Sequence, residues 1–137
     1  SLAESCSGGY LAHLLTAVSG ASQYFKGSIV SYADSAKIDL LNVSSSSIDE
    51  YGAVSKQVVE EMAKGAISAL NTDCAIAISG IAGPEGGTVE KPVGTVWICT
   101  IYNDSIISKQ YMFGNSRENN IQRSAIMAIV QLLKMIG

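Results

Sequence analysis

The sequence predicts one α/β domain, a three-layer α/β/α sandwich built on a mixed β-sheet. Three observations predict it. Strand-like and helix-like stretches alternate through the first half of the chain, the pattern of strands that return through crossover helices. Cys74-Ala75-Ile76-Ala77-Ile78 is apolar throughout, as a strand covered on both faces would be. Two later strand-like stretches flank Asn103-Asp104, which reads as a hairpin turn, so part of the sheet should be antiparallel. The 137 residues suit a single domain, 1–137, with no repeat, low-complexity segment or internal boundary.

Taken in order, Ser1-Leu2-Ala3 reads as the end of a strand. Small residues lead from it into a helix of about two turns that starts at Tyr10 and ends before Ser19-Gly20. Tyr24 to Gly27 is a short helical or turn piece, and Ser28 to Tyr32 a short strand. Asp34 is placed to cap a helix over Ser35 to Leu41. The serine run Ser44 to Ser47 reads as a loop or capped turn. Ser55 then caps the clearest helix, about Lys56 to Leu70. Val58, Val59, Met62, Ala63, Ala66, Ile67 and Leu70 form one apolar stripe along it. Thr95 to Tyr102 and Ile106 to Phe113 are the hairpin strands. A last helix runs from Ser116 to about Ile136, with Ile121, Ala125, Ile129, Leu132 and Ile136 on one face.

Composition narrows the partners. Net charge is −3 and no basic cluster occurs, so the chain lacks the electrostatic footprint of a nucleic-acid binder. No apolar run is long enough to span a membrane, and no signal peptide is expected. The three cysteines, Cys6, Cys74 and Cys99, fit no zinc spacing. Cys74 and Cys99, inside apolar runs, read as small hydrophobes of a reducing, cytoplasmic compartment. The single histidine, His13, has no partner for a metal site, so neither metal nor cofactor is expected.

Three constellations could carry chemistry. In Glu4-Ser5-Cys6-Ser7-Gly8-Gly9 a serine stands between a strand and a helix, where its hydroxyl can be exposed. Backbone N–H groups of the Cys6, Ser7, Gly8 and Gly9 turn could stabilise an oxyanion. Ser5 could equally be a helix cap, Cys6 the nucleophile, or the glycine pair a phosphate loop. The second is Tyr32-Ala33-Asp34-Ser35-Ala36-Lys37. A serine hydroxyl needs a base. With one histidine in the chain the search turns to lysine, and Lys37 would serve if burial kept its amine neutral. Both Ser5 and Lys37 follow strands, where a parallel sheet opens a cleft at its C-terminal edge. The plain alternative is that Lys37 is a solvated helix residue. The third is the glycine-dense stretch Ser79 to Thr88, whose N–H groups could cradle a phosphate or simply make a turn. It is not a Walker loop, because no Gly-Lys-Ser/Thr follows.

Together these stretches resemble the CinA C-terminal domain family, whose characterised members are nicotinamide-nucleotide amidases. The likeness rests on Ala3 to Gly9, on Gly27 to Tyr32 with Lys37 five residues on, and on Tyr51-Gly52-Ala53-Val54-Ser55. It continues through Ser79 to Thr88 and Glu90 to Thr95, so it covers nearly the whole chain in order. The family usually carries one more helix and the start of the first strand ahead of this point, and that segment is expected to precede Ser1. Ser7 stands where the family often has Thr. The resemblance implies hydrolysis of the carboxamide of nicotinamide mononucleotide to nicotinic acid mononucleotide and ammonia, in pyridine-nucleotide salvage. It implies Ser5 as nucleophile, Lys37 as base and Tyr32 as a helper. Gly80, Ile81, Ala82, Gly83, Gly86, Gly87 and Thr88 match the substrate-binding region. Arg117 and Arg123 are candidates for the substrate phosphate. A homodimer is common in the family. The competing readings are a non-catalytic nucleotide-binding module and a serine amidase acting on another amide.

Overall fold

The computed structural model describes residues 1–137. Five strands form one mixed sheet in the order β2-β1-β3-β4-β5. They are β1 (Leu2–Glu4), β2 (Ser28–Val30), β3 (Cys74–Gly80), β4 (Thr95–Tyr102) and β5 (Ser105–Met112). β1 lies parallel to both β2 and β3, while β4 and β5 continue antiparallel. The helices are α1 (Tyr10–Thr16), α2 (Asp34–Leu41), α3 (Ser45–Tyr51), α4 (Lys56–Leu70) and α5 (Arg117–Ile136). A 3₁₀ turn at Ala21–Gln23 precedes the aromatic pair Tyr24-Phe25.

The three predicted layers are present. Alternate residues of one strand face opposite layers. On β3, Ala75 and Ala77 join the cluster formed with Leu41, Val58, Met62 and Ala66 from α2 and α4. Ile76 and Ile78 join the opposite cluster with Leu11 of α1 and Ala125 and Ala128 of α5. The small side chains of β3 let the long helix α4 lie close to the sheet, and the large ones fill the space under α1 and α5.

α1 connects β1 to β2 over one face, whereas α2 to α4 connect β2 to β3 over the other. The chain therefore leaves β1 in one direction and returns on its other side. Such a reversal opens a crevice at the C-terminal ends of the strands. Ser5, Ser31 and Ile81, the residues that follow β1, β2 and β3, stand at that edge.

Four details differ from expectation. The serine run is not a loop: Ser45–Tyr51 is helical, with half-buried Ile48 packed on the α4-side cluster. The backbone N–H of Ser44 donates to the Glu61 carboxylate at 2.9 Å, which ties the entry of α3 to α4. Asp34 is the first residue of α2 rather than its cap; Ala33 takes the extended cap conformation. Ile136 is exposed instead of joining the α5 stripe. β2 ends at Val30, before Tyr32. Ser55 does cap α4, accepting from the Val58 N–H at 3.2 Å. No helix is long and apolar enough to cross a membrane.

Candidate active site

The turn after β1 is fixed by backbone bonds on both sides of Ser5. Its N–H donates to Ile78 on β3 at 3.0 Å, and its carbonyl accepts from the Gly8 N–H at 3.0 Å. Gly8 and Gly9 follow with φ of 59° and 99°, left-handed values that disfavour a side chain. The turn is thus closed tightly enough to start α1 at Tyr10. Of its N–H groups, Gly8 is used within the turn, while those of Cys6, Ser7 and Gly9 meet no acceptor in the chain.

Lys37 projects from α2 under this turn. It is 1% exposed, an unusual place for a lysine. Its Nζ lies 3.0 Å from Ser5 Oγ, 2.9 Å from the Ser31 carbonyl oxygen and 3.3 Å from that of Tyr32. Asp34 approaches at 3.8 Å from one turn earlier on α2, with its own side chain mostly in solvent. Burial holds the Lys37 amine below its ordinary value of 10.5, and the Asp34 carboxylate pulls the other way. Cys6 is the neighbour of Ser5 but a poor competitor. Burial pushes its thiol up to about 12, so the thiolate that would attack is scarce.

Ser5, Cys6, Tyr32 and Lys37 line an open cleft of about 280 Å³. Gly80, Ile81, Ala82, Gly83 and Gly86 form its facing wall, and Arg117 closes one end. Gly80 must be small: a Cβ there would stand 2.6 Å from the Val96 side chain and 3.1 Å from Cys6 Sγ. The Arg117 guanidinium donates to the Gly83 carbonyl at 2.7 Å and to the Tyr32 hydroxyl at 3.0 Å, which bridges the two walls. The N–H groups of Ala82, Gly83, Glu85 and Gly86 bond to nothing in the chain, so this wall can accept an anion.

Some expected residues stay outside the cleft. Arg123 is exposed elsewhere on α5, because six residues turn a helix by about 240° relative to Arg117. Gly87 and Thr88 lie beyond the lining, and Thr88 closes its own turn by exchanging bonds with Lys91. Ser7, Gly8 and Gly9 shape the turn from behind it.

Other residues, most of them within the stretches noted in the sequence, were given no site role there. Asp34, Ala53, Val54, Ser79 and Glu85 also line the cleft. The Ser79 hydroxyl donates to the Ala53 carbonyl at 2.8 Å and holds the loop before α4 in place. Asn120 of α5 is buried and clamps the glycine wall. Its amide donates to Ala82 and Gly114 carbonyls at 2.9 Å each and accepts from the Gly114 N–H at 3.1 Å. A polar residue within the buried stripe of a helix was the available signal.

The domain thus carries a buried Ser-Lys pair at the reversal point of its sheet. The chain belongs to the CinA C-terminal domain family, whose model matches residues 1–136. It is 43% identical over 133 residues to the nicotinamide-nucleotide amidohydrolase PncC of Enterobacter agglomerans, covering 96% of this chain and 81% of that protein. It is 46% identical over 132 residues to a CinA-like protein of Cytophaga hutchinsonii, covering 96% of this chain. This chain spans 31% of the length of that longer relative. Among solved structures, competence/damage-inducible protein CihA from Agrobacterium tumefaciens superposes with a TM-score of 0.96 at 35% identity, over 99% of this chain and 84% of that one. A CinA superfamily protein from Escherichia coli gives 0.94 at 37% identity, over 98% and 78%.

Proposed function

We propose that this chain hydrolyses the carboxamide of nicotinamide mononucleotide, releasing ammonia and nicotinic acid mononucleotide, in pyridine-nucleotide salvage. The observation that carries the reading is the 3.0 Å approach of a buried Lys37 amine to the Ser5 hydroxyl. The name of the Enterobacter agglomerans relative supports the substrate.

The three neighbours of the Lys37 amine suit a base. When the amine is neutral, its two N–H groups stay on the Ser31 and Tyr32 carbonyls, and its lone pair faces the Ser5 hydroxyl. Ser5 Oγ attacks the carboxamide carbon as Lys37 takes its proton. The unpaired N–H of Cys6, which lines the cleft beside Ser5, holds the oxygen that gains charge. The tetrahedral intermediate collapses, and Lys37 returns the proton to the departing ammonia. Water, deprotonated by Lys37, then cleaves the ester and restores Ser5. Arg117 and the unpaired N–H groups from Ala82 to Gly86 receive the substrate phosphate.

Activity should rise with pH through the lowered value of Lys37, since only the neutral amine accepts the proton. The test is ammonia release from nicotinamide mononucleotide beside a binding titration. Turnover that needs the phosphate, with free nicotinamide a far poorer substrate, supports the reading. Saturable binding with no ammonia would make the domain a nucleotide-binding module instead.

A further inference from the structure

Glu4 is completely buried, one residue before Ser5, and the mechanism above does not use it. Every group around its carboxylate is a donor. Oε1 accepts from the Ser7 hydroxyl and from the Leu11 N–H, both at 2.9 Å. Oε2 accepts from the Ala12 N–H at 3.1 Å and from the Ser28 hydroxyl at 2.9 Å. A carboxylate accepts only, so all four contacts are satisfied together.

These partners come from three places that the chain must hold in register: the turn after β1, the first turn of α1, and β2. α1 has no side-chain cap of its own, since Gly9 occupies that position. Glu4 supplies the missing acceptor from the neighbouring strand. By gripping Ser7 it also closes the Ser5-Cys6-Ser7 turn from behind. The N–H groups of Leu11 and Ala12 are thereby occupied, and of the turn's unpaired donors Cys6 is the one that lines the cleft.

We propose that Glu4 is the positioning residue for Ser5, its carboxylate fixing the turn so that the Ser5 hydroxyl and the Cys6 N–H are aimed at the carbon and the oxygen of one reacting carbonyl. The inference rests on the reading of Ser5 as nucleophile. It requires a charged group rather than a polar one. In Glu4→Gln the amide nitrogen must face either the Leu11 or the Ala12 N–H, and a backbone donor cannot turn away as a hydroxyl can.

The test uses a small dialkyl fluorophosphate, which needs no nucleotide site. Ser5 Oγ bonds to phosphorus, fluoride leaves, and Lys37 takes the hydroxyl proton. Intact-mass measurement follows the adduct with time in the wild type, Ser5→Ala and Glu4→Gln. The expected result is one adduct in the wild type, none in Ser5→Ala, and labelling at least tenfold slower in Glu4→Gln. Nicotinamide mononucleotide affinity should change less than threefold in the same Glu4→Gln protein. Labelling of Glu4→Gln within twofold of wild type overturns the proposal and leaves the reading of Ser5 standing. Labelling and affinity lost in equal measure overturn it as well, because a general loosening would do that. A wild type that gains no adduct at Ser5 overturns the reading itself, and the proposal with it. Should Glu4→Gln fail to fold, Ser28→Ala decides, since it removes one donor and keeps both backbone contacts. A severalfold fall in labelling supports the proposal, and an unchanged rate overturns it.

Discussion

The two halves of the sheet are built differently. β4 and β5 are eight residues each and pair along their whole length, over a core of Val96, Ile98, Cys99 and Ile101. β1 and β2 are three residues each, and the ground around them is polar: Glu4, Ser5, Ser7, Ser31 and Lys37 are all buried there. The antiparallel half is held by apolar area and ladder bonds. The parallel half spends short strands on holding charged groups out of water, each with its own set of partners. Two groups show how this is done. Glu4 is surrounded by four donors, whereas Lys37 faces three oxygens and one distant carboxylate. The first arrangement fixes a structure. The second leaves an amine that can gain or lose a proton.

Substitutions in the two halves should therefore separate stability from chemistry. The largest stability effect belongs to the antiparallel half. Ile98 is fully buried on β4, and Ile98→Ala should cost about 2–5 kcal/mol while leaving kcat per folded molecule unchanged. Denaturant unfolding beside ammonia release reads both. At the cleft, Arg117→Lys removes the fork that bonds Gly83 and Tyr32 at once, and KM for the mononucleotide should rise about tenfold with Tm nearly constant.

Lys37→Met should abolish turnover yet raise stability by roughly 1 kcal/mol, or ~4 °C in Tm, since it removes a charge that burial disfavours. The sign follows from the lowered value of Lys37: the unfolded chain binds that proton more readily. Wild-type stability from this group is present above the ordinary 10.5 and is lost as pH falls through the lowered value. Lys37→Met should flatten that slope in pH-dependent melting. The smallest effect is expected of Asp34→Asn. Asp34 raises the Lys37 value, so its loss should move the acid limb of kcat/KM to lower pH. Added salt should mimic that shift in the wild type, because the Asp34 side chain is mostly exposed.

The sequence exposes the antiparallel half well. The Asn103-Asp104 turn between two strand-like stretches marks the hairpin, and on the neighbouring layer the apolar stripe of α4 has the period of a helix. Ser5 and Lys37 were legible as candidates because a serine needs a base and histidine is scarce. Their 3.0 Å meeting was not, since it depends on β1 and β2 lying side by side. The role of Glu4 was hidden for the same reason: its four partners are 3, 7, 8 and 24 residues away. α3 escaped because a run of serines has the composition of a loop. Its helical state comes from Ile48 on the core and from Glu61 at its entry. Arg123 was paired with Arg117 by residue type alone, and helix geometry separates them.

The central claim is that Ser5 and Lys37 act as one unit. Its most direct test is ammonia release from nicotinamide mononucleotide by the wild type, Ser5→Ala, Lys37→Ala and the double variant. Each single change should lower kcat by on the order of a thousandfold or more, and the double variant should be no worse than either, as for groups that share one step. Turnover near the wild-type rate in either single variant would contradict the account.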